Sequence, residues 1–211
     1  MLKKILAGVV GSCFLFGNAS ASYIDFSDIA FSSISGQSYT EFTDVQGSSV
    51  DLAISASPAF ASAVLSYSAD GIGITSNDNL SNSEINGVEF LTLYFENDPV
   101  TLTRLDVSNL FSNDFTDYGL PEVGIFTSMG ETWYDFDAGV FIGNSTTGDY
   151  TLNLNLNNVT QISFAASPIF FYSDFTVKGI GVESVPEPTT ISLIGIGLLS
   201  LAGINFIRRK K

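Results

Sequence analysis

From residue 22 to residue 185 the chain alternates apolar and polar positions with a period of two, the signature of strands half buried against a core. Segments 88–95 and 100–107 flank Glu96-Asn97-Asp98-Pro99, a polar turn with a proline, and read as an antiparallel hairpin. Segment 150–156 alternates most cleanly, and Asn157-Asn158 reads as a turn leading into 159–165. Further extended runs are 23–31, 50–55, 63–68, 71–75, 123–127 and 175–182. The region has no stretch of helical periodicity, and its Gly, Ser, Asn and Asp clusters fall between apolar runs, where turns belong. Roughly ten to twelve short strands at this spacing predict an all-β fold, an antiparallel β-sandwich of jelly-roll-like topology, over residues 22–184.

The two ends break the alternation. Lys3-Lys4, an apolar run over 5–16 and the small-residue site Ala19-Ser20-Ala21 predict a secretory signal peptide (1–21) cleaved after Ala21. The run is too short for the roughly 20 residues of a membrane anchor. Val10-Gly11-Ser12-Cys13 also resembles a lipoprotein cleavage box, but that reading leaves only 5–11 as the apolar stretch and puts Phe14-Leu15-Phe16 after the lipidated residue; the spacing favours a plain signal-peptide cysteine. Cleavage then removes the chain's one cysteine, and with it any disulfide. At the other end, 189–207 carries no charge and, at about 1.5 Å per residue, makes a helix about 28 Å long, matching a hydrocarbon core. Arg208, Arg209, Lys210 and Lys211 follow as a membrane stop signal, which the positive-inside rule places in the cytoplasm with 22–188 outside.

Charge sharpens this division. The 211 residues carry a net charge of −14. Once the terminal segments are set aside, 21 acids face only Arg104 and Lys178 between residues 22 and 185, a balance of −19. Such a surface repels nucleic acid and anionic lipid. The sequence holds no histidine. A Ser-His-Asp triad, a Cys-His pair and an ordinary zinc site are therefore excluded, which leaves a carboxylate pair as the remaining catalytic option.

The best local carboxylate pair is Asp135 with Asp137, which a strand would place on one face beside Trp133, the single tryptophan and a candidate for stacking on a sugar ring. Among 21 acids such neighbours also arise by chance, and Trp133, Tyr134 and Phe136 serve a core equally well. The expectation is a non-catalytic body. Calcium suits clustered hard oxygen donors in exported loops, with Asn77, Asp78, Asn79, Asp114 and Asp117 as candidates. None has EF-hand spacing, and solvated turn residues are the alternative reading. No other cofactor is expected.

Val185-Pro186-Glu187-Pro188 stands directly before the C-terminal apolar segment. Two prolines make it a stiff, extended stalk of the kind a protease cleft grips. The order Pro-Glu-Pro, single span, basic cluster resembles the PEP-CTERM sorting signal of Gram-negative bacteria, over residues 185–211. The resemblance implies recognition of Pro186, Glu187 and Pro188 by a membrane-embedded exosortase, transient anchoring in the inner membrane, and delivery to the surface of cells that make exopolysaccharide and biofilm. Segments 70–74, 83–85, 89–95 and 173–180 also resemble patterns in the secreted domains of such proteins, which implies a fold more than an activity. The expected function is thus that of an exported, non-catalytic surface or matrix protein associated with exopolysaccharide. A secreted carbohydrate-binding or carbohydrate-active module is the alternative.

Overall fold

Twelve strands build the body among the residues described by the computed structural model, which are 21–58, 62–76, 84–86, 89–112, 121–130, 136–143, 146–166 and 174–184. They are β1 (Ala21–Asp25), β2 (Tyr39–Phe42), β3 (Leu52–Pro58), β4 (Ala63–Ser68), β5 (Gly71–Ser76), β6 (Ile85–Asn86), β7 (Glu89–Phe95), β8 (Val100–Ser108), β9 (Val123–Gly130), β10 (Phe136–Ile142), β11 (Tyr150–Ala166) and β12 (Asp174–Ser184). All the ladders are antiparallel. The class is therefore the expected all-β one, and the pairings run β2-β3-β7-β11-β8-β12-β5-β4 in one nearly closed, barrel-like sheet. These residues fall within one compact unit, Ser20–Val185.

Strand β11 gives the sheet its continuity. Residues 150–159 pair with β8, whereas 161–164 pair with β7 and 159–166 with β9. The expected turn at Asn157-Asn158 does not form. The strand runs through it with register shifts on both sides of Val159, and Asn158 takes a left-handed φ of 57° that asparagine tolerates. The bulges reset which face points inward. Leu152, Leu154 and Leu156 pack on the core before them, Val159 between them, and Ile162, Phe164 and Ala166 after them.

The expected hairpin is likewise corrected. Strands β7 and β8 form, but β7 pairs with β3 and β11 while β8 pairs with β11 and β12. Alternation fixes which face of a strand is buried and leaves its partner open. The predicted strand 23–31 stops at Asp25, because the Asp25 carboxylate accepts the Ser27 amide and hydroxyl and Asp28 caps a 3₁₀ turn at Ile29–Ile34 through the Ala30 amide. Phe31 and Ile34, three apart, both face inward, as that helix's period requires.

Five phenylalanines, Phe26, Phe31, Phe141, Phe164 and Phe175, anchor the core, with Phe141 edge-on to Phe175 at 5.2 Å. Across β9 and β10, Phe141 lies over Gly124 and Phe126 over Gly139, so that each ring occupies space a Cβ would need. Among the described residues no helix is long and apolar enough to cross a membrane, and the expected span 189–207 lies outside them.

Candidate functional site

Of the residues singled out for chemistry, Trp133, Asp135, Asn77, Asp78, Asn79, Asp114 and Asp117 lie outside the described residues, as do Ala19, Pro186, Glu187, Pro188 and the basic tail. Asp137 sits near the start of β10, exposed, opposite Ser128 of β9. Ala21 opens β1 opposite Glu183. Among the described residues no three acidic or other ligating side chains come together to hold a metal ion.

What the structure does assemble is a polar cluster that sequence pattern did not single out. Asp106, on β8 and 5% exposed, accepts the Tyr23 hydroxyl at 2.7 Å and the Thr151 hydroxyl at 2.5 Å, and pairs with Arg104 Nε at 2.7 Å. Burial pushes its carboxyl upward, but the bonds from Thr151, Tyr23 and Arg104 outweigh that and hold it below the usual aspartate value. Burial, and then the bond to Asp106, raise the Tyr23 phenol well above the ordinary tyrosine range. The Arg104 guanidinium lies 5.4 Å from the Tyr23 ring centre. Beside them Lys178 Nζ meets Asp149 Oδ1 at 3.3 Å, and the Ser108 hydroxyl donates to the same oxygen at 2.8 Å. The Ser108 bond first, and Lys178 after it, hold the Asp149 carboxyl below its ordinary value. Glycines on β12 make the room: a Cβ at Gly179 would meet the Tyr23 phenol, and one at Gly181 would meet Thr103 and Arg104. Both cations of residues 22–185 are thus engaged by carboxylates in one shallow cavity. This cluster ties β1, β8, β11 and β12 together.

A second acidic site lies just beyond the C-terminal end of β8. Glu84 precedes β6, whose pairing with β12 sets Asn86 opposite Asp174. Its carboxyl accepts the Asn109 amide at 2.7 Å. Burial first, then the charge of Asp174 and a bond to it, push the Glu84 pKa from 4.5 to about 7. Carboxylates in direct hydrogen-bond contact share a proton, and they are closer than the roughly 5 Å a glycosidase pair needs.

The most exposed apolar surface is elsewhere. Tyr39, Phe90, Tyr94, Met129, Phe136, Val140 and Ile142, seven of the nine exposed large apolar side chains among the described residues, share the outer face of β2, β3, β7, β11, β9 and β10.

Beyond β12, the PEP-CTERM protein-sorting motif matches residues 184–211. The chain carries a PEP-CTERM sorting signal. The match starts at Ser184, the last residue of β12, so the sorting segment follows directly on a central strand of the body. No curated protein matches the chain. Among solved structures it is similar to a xylan-binding module, CBM15, at 13% identity and a TM-score of 0.44, over 81% of this chain and 99% of that one. It is also similar to the BiXyn10A CBM1 apo structure, at 13% identity and 0.38, over 76% and 95%. A rhamnosidase from Klebsiella oxytoca with rhamnose bound follows at 11% and 0.33, over 63% and 29%.

Proposed function

We propose that this PEP-CTERM protein is an exosortase substrate: exported by its signal peptide, held briefly in the inner membrane by 189–207, and delivered to the cell surface or matrix as a non-catalytic protein associated with exopolysaccharide. The observation that carries the reading is the motif match at 184–211, with Pro186-Glu187-Pro188 followed by the apolar segment and four cations. The absence of histidine throughout the chain, and of cysteine from 22–185, supports a non-catalytic body. We read that body, residues 22–184, as a jelly-roll-like sandwich. Cleavage after Ala21 leaves Ser22–Asp25 to complete the β1 ladder against Gly179–Val182. The test replaces Pro186-Glu187-Pro188 by three alanines in the native host: wild-type protein is released at a shortened mass, and the variant stays in the membrane fraction at greater mass. Equal release of the two overturns the sorting role.

A second reading, a secreted carbohydrate-binding module, is favoured by the exposed aromatic face of β2, β3, β7, β11, β9 and β10.

A further inference from the structure

The strand registers order that outer face into rows crossing the strands. The middle row runs Tyr39, Ser55, Thr92, Ser163, Thr127, Ala138. Past the tyrosine it holds only small side chains, so it forms the floor of a trough. One flanking row runs Tyr94, Gln161, Met129, Phe136. The other holds Phe90, Ile125 and Val140. Six strands spaced about 4.8 Å apart make the trough about 24 Å long, and rims four residues apart along each strand stand about 13 Å from one another. Its floor offers the half-buried hydroxyls of Ser55, Ser163 and Thr127, with Ser163 held from beneath by the buried Thr92 at 3.0 Å and by the Gln161 amide, which donates to it at 3.3 Å. The rims present aromatic and methionine faces to solvent.

Charge selects the occupant. In a body of −19, Glu41 at the β2 edge is the one charged side chain among the described residues of these rows. Acids on the rest of the body repel a polyanion and repel a second copy of this chain. An open trough this long fits a polymer rather than a single ring, and aromatic rims over a hydroxyl floor suit pyranose rings, whose C–H faces are apolar and whose edges carry hydroxyls.

We propose that the trough binds a neutral polysaccharide laid across the strands, with sugar faces on Tyr94 and Phe136 and sugar hydroxyls on Ser55, Gln161 and Ser163. The proposal rests on the polysaccharide association proposed above and names its site and ligand class. The experiment uses the full chain purified in a zwitterionic, sugar-free detergent, titrated calorimetrically with soluble arabinoxylan, mixed-linkage β-glucan and, as the polyanion, alginate. At least one neutral polymer binds, Tyr94→Ala and Phe136→Ala each weaken binding by roughly 3- to 10-fold, and Thr127→Arg in the floor abolishes it while melting temperatures hold. Failure of both neutral polymers to bind overturns the proposal, as does binding indifferent to all three substitutions. Alginate binding indifferent to them also overturns the trough while leaving exopolysaccharide association standing. A dimer in sedimentation that Phe136→Ala dissolves, without glycan binding, assigns the face to a second copy and overturns it too.

Discussion

The Glu84–Asp174 pair makes stability depend on pH in the direction opposite to an ordinary salt-bridged carboxylate. Glu84 has a pKa of about 7 in the fold against 4.5 without perturbation, so the folded chain holds a proton that the unfolded chain releases between those values. The contribution is fully present below pH 4.5 and disappears as pH rises through about 7. At ~1.4 kcal/mol per pKa unit the full effect is ~3 kcal/mol. Glu84 is open to solvent on part of its surface, and screening reduces this to ~1–2 kcal/mol. The charges facing it are Asp174 at the start of β12 and Asp70 in the β4–β5 turn, both acidic, with Asn109 the one neutral donor. Glu84→Gln keeps the Asn109 bond and removes the titration. Thermal unfolding of the full chain in chelator, followed by circular dichroism from pH 4 to pH 8.5, reads the difference. Near pH 4 the two proteins melt together. At pH 8 the variant melts roughly 2–8 °C higher, by the usual scaling for a body of this size. A difference between the two proteins that stays constant across this range refutes the shared proton.

Two further outcomes follow from backbone geometry. Gly124→Ala places a Cβ about where the Phe141 ring now lies, and over-packing of this kind costs about 1–3 kcal/mol, read as a lower denaturant midpoint with an unchanged slope. At the β11 bulge, Asn158→Gly leaves the midpoint nearly unchanged, whereas Asn158→Val forces a β-branched residue to positive φ and lowers stability by about 1–2 kcal/mol.

Strand positions were legible because short apolar-rich runs bounded by turn residues supply the core. The segments 63–68 and 71–75 became β4 and β5, and 100–107 became most of β8. Partnership was not legible. Glu96-Asn97-Asp98-Pro99 is a good turn sequence, yet the chain uses it to pass from β7 beside β3 to β8 beside β12, a distinction set by contacts distant in sequence. Asn157-Asn158 misled for a related reason, since the left-handed tendency that marks a turn also serves a bulge. The polar cluster escaped notice because Tyr23, Arg104 and Thr151 come from three strands, and only the pairing of β8 with β11 and β12 gathers them around Asp106. The trough escaped for the same reason. Ser55, Thr92, Thr127 and Ser163 look like ordinary outward positions until the registers set them in one row.

The sorting signal was legible throughout because its information is linear, and it begins where β12, the last strand of the body, ends. β12 is flanked by β8 along one edge and by β1, β5 and β6 along the other, and Phe175, Val177, Ile180 and Val182 are buried in the core. The register of β1 sets Ala21 opposite Glu183, so the residues that join the body to its two terminal segments lie side by side. Four of the five β1–β12 pairs lie at Ser22–Asp25, and the β8–β12 ladder ends at Ser184, where the sorting motif begins. The first strand of the body thus pairs with its last. That ladder joins residues from opposite ends of the body, so its loop-closure entropy is among the largest in the sheet.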